Sequence, residues 1–363
     1  MATLQQSLPT AAPRAAQPAG RIAFDYWVVL LCGWFIFGLF LDGWAHNHGR
    51  VDDTFFTPWH AVLYSGYGAV GMLLVGTHFR NVSRGAAWGR ALPQGYMLSL
   101  AGVLLFGAAG AFDFAWHELF GFEANMEALL SPAHLALATG AFLFVTGPLR
   151  AYWVRRTETN WRAMLPLVLG LAFVASLITF FLQYASLTGE MGLIVGRMRG
   201  GEARYADLRG VTGILLHTAT LTGVMLFAVR RWRLPFGAFT LIFALNMALM
   251  TWMLISQTAE FLLIIPAALA GLLADLLLRP ATPITATPIT AAPQRLRVFS
   301  FVVPFALALG VIVTLHIIGL MLFNRGVWWA IHMWLGAPFL AGIGGTFLSY
   351  LLVPPALPES ERA

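Results

Sequence analysis

Apolar runs of about 20 residues, each long enough to cross a hydrocarbon core as a helix, return along the whole of this 363-residue chain. No other feature restricts its fold so severely. The bilayer core offers no water to backbone N–H and C=O groups, so a chain that crosses it repeatedly must use helices or a closed barrel. The runs fall at 24–45, 57–79, 94–117, 131–151, 162–187, 206–231, 234–253, 258–279, 296–322 and 329–352. Barrel strands need only about 9–11 residues, so these segments are helices. The expected fold is all-α: a polytopic membrane helix bundle of about ten transmembrane helices in five repeated hairpins. A composition that is 59% hydrophobic and 10% charged agrees.

Charge gives this bundle a sidedness. All 22 basic residues are arginine. Assigning the loops alternately to two sides puts 16 arginines with the N-terminal tail and 6 opposite, and 5 acidic residues with the tail against 11 opposite. "RNVSRGAAWGR", "RAYWVRRTETNWR" and "RRWR" all lie on the tail side. By the positive-inside rule both termini are cytoplasmic and the chain is a multi-pass protein of the cytoplasmic (inner) membrane. This placement accounts for the basic balance without a nucleic-acid partner. Eight of the nine histidines fall in the opposite half, His78 being the exception, so the polar chemistry is expected to face the periplasm or exterior.

The segment 1–20, rich in Ala, Pro and Gln, reads as a disordered tail rather than a cleaved signal. Residues 21–155 hold two hairpins with a shared motif, 156–280 two hairpins in which it is degenerate, 281–295 a Pro/Thr linker, 296–354 a last hairpin and 355–363 a C-terminal tail. The linker repeats TPIT and is assigned no chemistry. Cys32 is the one cysteine. It excludes an internal disulfide and thiolate clusters, so any metal site within the chain must use nitrogen and oxygen ligands.

The shared motif is D-x3-H at the far end of one helix, a short loop, then [ST]-P-x-H opening the next. Asp42 and His46 recur, with one common offset, as Asp113 and His117; Pro58, His60 and Gly66 recur, with a slightly larger common offset, as Pro132, His134 and Gly140. Residues i and i+4 share a helix face, so each aspartate and its histidine address one point. Thr57 and Ser131 suit an N-cap with proline at the first helical position, which puts His60 and His134 in the opening turn of the return helix. Two imidazoles and a carboxylate make a transition-metal ligand set: Asp42, His46 and His60, and again Asp113, His117 and His134. Ionisable groups at membrane depth are rare and mark function. The blander reading is hydrogen bonding that ties the hairpin ends together. In a third, decayed copy His217 matches, but Gln183 and Leu187 replace the aspartate and first histidine.

Other polar residues carry weaker readings. His48 is an extra ligand or, preferably, a loop residue. Asp52 and Asp53 suit caps, and Glu118, Glu123 and Glu127 an acidic rim with a possible supporting role behind the imidazoles. Asn246, His217 and His316 suit polar packing between helices. Trp59, Trp116, Trp328 and Trp329 suit an interfacial belt.

"DTFFTPWH" (53–60), preceded by "DGWAH" (42–46), resembles the copper-site region in the C subunit of particulate methane and ammonia monooxygenases, an Asp-x3-His followed by a DT-x-FTP-x-H-like segment at the mouth of a membrane helix. "DFAWH" (113–117) resembles its first half. The resemblance implies copper on Asp42, His46 and His60, with Asp113, His117 and His134 as a duplicate. The loop after His46 is longer than the family pattern, which leaves the equivalence of His46 and His48 open. The likeness is confined to the motif and its flanks in each copy; the family's soluble copper domain has no counterpart here, and its substrate does not transfer.

The reading expected first is therefore an integral membrane metalloprotein, copper-binding with iron or zinc as alternatives, that acts as a monooxygenase-like oxidoreductase, or its metal-binding subunit, on a small apolar substrate. The alternative is a membrane copper transporter or a metallo-centre assembly factor, for which ligands gathered at one end rather than at the midplane are a poorer fit. A haem carrier leaves the aspartates without a role, and purely structural repeats are the remaining option. The bilayer is the certain partner; the apolar exterior also permits other membrane subunits or a homo-oligomer. One shared ion and two separate ions are both compatible with the spacing.

Overall fold

The computed structural model of the protein describes residues 17–18, 20–50, 56–121, 125–155, 158–186, 201–278 and 293–354. The tails 1–16 and 355–363, the TPIT linker, Asp52, Asp53, Glu123 and Leu187 lie outside the described residues. The first hairpin is α1 (Ile22–Asn47) and α2 (Pro58–Val82). The second is α3 (Met97–Phe120), a short α4 (Asn125–Leu130), then α5 (Pro132–Val145) running into α6 (Gly147–Arg155). There follow α7 (Trp161–Phe181), α8 (Gly201–Arg231), α9 (Ala238–Leu254), a 3-10 stretch Thr258–Leu263 leading into α10 (Ile264–Leu277), α11 (Pro293–Phe323) and α12 (Ile331–Leu352). Among the described residues nine helical stretches are long and apolar enough to cross a membrane. The tenth, α9, has 17 residues; at about 1.5 Å per residue it reaches about 26 Å of a core about 30 Å thick. The ten-helix bundle read from the sequence is the observed fold.

Glycines set the hairpin packing. A Cβ on Gly66 would stand 2.7 Å from the Phe35 backbone, and one on Gly140 2.8 Å from the Phe106 backbone. The step from Phe35 to Phe106 equals the step from Asp42 to Asp113. The sequence repeat is thus a packing repeat: each return helix lies against its outgoing partner at matching places, where any side chain would hold the backbones apart. The third copy has lost this register, since a Cβ on Gly223 would meet nothing within 4 Å.

The fourth span breaks at Pro148, which has no N–H for the Phe144 carbonyl. The Ser99 hydroxyl donates to that carbonyl (3.3 Å) and the Arg150 guanidinium to the Leu143 carbonyl (2.6 Å) and the Gly95 carbonyl (2.8 Å). These bonds meet the rule that backbone groups at membrane depth be satisfied within the protein. At the same arginine-rich end Asp25 of α1, buried, pairs with Arg155 of α6 and accepts the Tyr96 hydroxyl (2.6 Å). This cluster ties the first two hairpins together at the end remote from the histidines.

Two apolar cores result. Val28, Phe35, Phe40, Val70, Phe106 and Phe144 centre the first; Leu167, Leu171, Met225, Phe243, Phe299 and Ile312 centre the second. The helix α7 serves both, with Phe173, Leu177 and Phe180 facing the first and Leu167, Leu171 and Ala175 the second. Trp329, expected in an interfacial belt, instead packs in the second core at 5% exposure.

Candidate metal centre

At the end of the bundle opposite the Asp25–Arg155 cluster, the last turns of α1 and α3 meet the first turns of α2 and α5. Thr57 caps α2 by accepting from His60 N–H (3.1 Å), and Ser131 caps α5 by accepting from His134 N–H (3.3 Å). Proline follows each cap. The caps fix where each return helix begins, so His60 and His134 emerge in the first turn facing the outgoing helix.

Each histidine arrives beside the aspartate of its own hairpin. In the first cluster Asp42 Oδ2 is 3.8 Å from His46 Nε2 and Asp42 Oδ1 3.6 Å from His60 Nε2. In the second a single oxygen, Asp113 Oδ1, stands 3.5 Å from His117 Nε2 and 3.6 Å from His134 Nε2. Within each trio one donor atom per residue lies within 4.8 Å of the other two, a geometry that could hold a metal ion. All six side chains singled out by the motif are therefore brought together, three and three, as two separate clusters.

The separations decide what these contacts are. At 3.5–3.8 Å they exceed the ordinary hydrogen-bond range of about 2.7–3.2 Å for nitrogen and oxygen. Ligands at about 2.0–2.2 Å from one ion in tetrahedral to trigonal arrangement lie about 3.3–3.8 Å apart, a range that takes in the four aspartate–histidine separations. Asp42 Oδ1 and Asp113 Oδ1 are both buried and accept no hydrogen bond. In each cluster a carboxylate with one buried, unsatisfied oxygen stands between two imidazole nitrogens just out of hydrogen-bonding distance, which fits a cation among them; in the second cluster one oxygen faces both imidazoles, and in the first the two oxygens of Asp42 face one imidazole each.

The clusters differ in shielding on the outgoing helix, where side-chain exposure is 4% for Asp113 and 8% for His117 against 13% for Asp42 and 45% for His46; on the return helix the order reverses, with 29% for His134 and 17% for His60. The second is better braced. Ser131 Oγ lies 2.7 Å from His134 Nδ1, and the Gly121 carbonyl 3.3 Å from His117 Nδ1. With Nδ1 protonated toward these oxygens, Nε2 keeps its lone pair for the cluster, the arrangement that orients metal-binding histidines. The brace on His134 by its own cap was not foreseen in the sequence, although the S-x2-H spacing that builds it is present.

The remaining polar residues have other employment. His48 places Nδ1 2.7 Å from the Trp44 carbonyl and Nε2 2.7 Å from the Ile255 carbonyl, latching the end of α1 to the end of α9. It is the loop residue preferred above. Glu118 and Glu127 are exposed, as a solvated rim requires. His217 is half-buried and joins no carboxylate cluster among the described residues. Gln183 bonds Asn47 (2.8 Å), and His316 accepts from Val327 N–H (3.1 Å). Asn246 is buried and bonds Thr179 (2.8 Å), a contact between helices.

Fold and clusters together define a polytopic helical membrane protein with two Asp-His-His groups of metal-binding geometry at one end of the bundle. Comparison with protein-family models, with curated proteins and with solved structures finds no match.

Proposed function

We propose that the protein is a copper-binding integral membrane oxidoreductase that uses dioxygen to hydroxylate a small apolar substrate reaching it from the lipid, either alone or as the metal-binding subunit of a larger membrane assembly. The observation that carries the reading is the same in both hairpins: a carboxylate with one orphaned oxygen, 3.6 Å from the imidazole of the return helix, and a second imidazole beside the same carboxylate. Asp42, His46 and His60 hold one ion and Asp113, His117 and His134 the other. The arginine-rich end supports a cytoplasmic placement for both termini, so the clusters face the periplasm or exterior.

Three ligands leave coordination positions open, and copper held in this way supplies one-electron chemistry with dioxygen. The chain's own part is to orient the imidazoles of the second cluster, through Ser131 and the Gly121 carbonyl, and to keep Asp113 and His117 from bulk water. In the overall reaction R–H, dioxygen, two electrons and two protons give R–OH and water, with electrons and protons from an external reductant. The motif's likeness to the C subunit of particulate methane and ammonia monooxygenases favours copper over iron or zinc, which the same donors would accept.

Elemental analysis of protein purified from membranes without added metal tests the reading. Copper approaching two ions per chain is expected, falling by about half in Asp42→Ala and in Asp113→Ala and to background when both are changed. Copper retained undiminished in the doubly changed protein would remove these residues from the site. Metal-dependent uptake into proteoliposomes would replace the oxidoreductase with a transporter.

A further inference from the structure

Tyr64 belongs to neither trio, yet it stands where the two hairpins meet. It lies on α2 four residues after His60, on the same helix face, with the rings 6.2 Å apart. Its hydroxyl rests on α3: a Cβ on Gly110 would stand 3.1 Å from Tyr64 Oη. Gly110 precedes Asp113 by three residues, about 4.5 Å along the axis. Helical side chains lean toward the N-terminus of their own helix. Asp42 and Asp113, near the C-terminal ends of α1 and α3, therefore lean into the bundle, while Tyr64, near the start of α2, leans out toward them. The ring that lies beside His60 of the first cluster thus carries its hydroxyl to the helix that supplies Asp113 of the second, one turn from that aspartate.

The repeat shows that this placement is specific to the junction. The offset that carries His60 to His134 carries Tyr64 to Ala138, and the offset that carries Asp42 to Asp113 pairs Gly110 with Leu39. The first return helix carries the large polar ring and the second outgoing helix the vacant place that receives it; their counterparts carry neither. Tyr67, one turn further in, donates its hydroxyl to the Val103 carbonyl (2.9 Å).

We propose that Tyr64 is a positioning residue shared by both metal centres, its hydroxyl placed to hydrogen-bond to water that would accompany an ion held by either triad. The proposal rests on the metal-binding reading above and adds to it a single group through which both centres are felt. Tyr64 is not itself a ligand; it orients that water and couples the pair.

The test uses two full-length proteins that each keep one cluster, Asp113→Ala/His134→Ala and Asp42→Ala/His60→Ala, loaded with Cu(II) alone and read by electron paramagnetic resonance and by metal titration. Adding Tyr64→Phe is expected to alter the copper spectrum in both proteins, remove an exchangeable-proton coupling in both, and weaken Cu(II) binding by about 10-fold, the lower end for loss of an outer-shell partner. Tyr67→Phe is expected to leave both spectra unchanged. Gly110→Ala, which displaces the hydroxyl without deleting it, is a second variant expected to perturb both spectra, and it keeps the test decisive if Tyr64→Phe folds poorly. An unchanged spectrum in either single-cluster protein on Tyr64→Phe and Gly110→Ala overturns the sharing. Absence of copper from the single-cluster parents, seen before Tyr64 is touched, instead overturns the metal reading and the proposal with it.

Discussion

Replacing Asp113 by Asn separates a metal ligand from a structural anchor, because the two roles predict opposite signs without metal. The comparison belongs in a His60→Ala background, where the second cluster alone can respond. Asp113 is 4% exposed at its side chain and its Oδ1 accepts no hydrogen bond, so the metal-free protein carries an unsatisfied buried acceptor worth about 1–3 kcal/mol of destabilisation. Asparagine removes the charge at nearly constant volume. In chelator the variant should unfold at or above the temperature of its parent. With copper at about 100 times its dissociation constant the parent gains about 2.7 kcal/mol and should overtake the variant, which gains little. For a chain of this size a kilocalorie moves the midpoint by no more than about 2–4 °C, so the crossing should be a few degrees, within reach of tryptophan-fluorescence melts in detergent. If Asp113 were instead the anion of a buried pair with His117 or His134, breaking that pair would destabilise by about 3–5 kcal/mol in chelator and added copper would not reorder the two proteins. That pattern refutes the metal argument at this cluster.

Ser131→Ala removes both the cap and the brace on His134 Nδ1; about 1 kcal/mol of stability and about 10-fold in copper affinity at the second cluster should be lost, measured by melting and by titration of the single-cluster protein. Gly140→Ala forces a Cβ to within 2.8 Å of α3 backbone, which cannot rotate away. Overpacking of about 1–3 kcal/mol should be accompanied by loss of copper from the second cluster with the first retained, as elemental analysis of the variant alone and in an Asp42→Ala background would show. Arg155→Ala strands the buried Asp25 carboxylate and should lower stability by about 3–5 kcal/mol, whereas the double change Asp25→Ala/Arg155→Ala should recover part of that loss in the same melt and leave copper content unchanged.

Much of the site was legible because its contacts are local. Asp42 and His46 meet by helix periodicity, and His60 joins them across one short loop whose end is marked by Thr57 and Pro58. Proline after a Thr or Ser cap is a strong start signal, and it held in both copies. What could not be read rests on partners far away in the chain. His48 is settled by the carbonyl of Ile255, which belongs to the far half of the sequence. Trp329 looked like a belt residue because its neighbourhood suits a helix end, but the loop folds it into the second core. Nothing beside Arg150 announces that it supplies donors around Pro148, since Gly95 and Ser99 lie on another span.

The sequence by itself determined that this chain crosses a membrane as helices, which segments form them to within several residues at each end, and which three side chains meet within each of the first two hairpins. Chain connectivity and helix periodicity suffice for that. Only the tertiary structure decided how the hairpins sit beside one another: that α2 packs on α3, that Tyr64 enters the gap left at Gly110, and that α7 joins two cores. In lipid there is no hydrophobic gradient between helices to announce a packing face. Those choices fall to shape and to scattered polar contacts between distant residues, and they leave no periodic mark on the sequence.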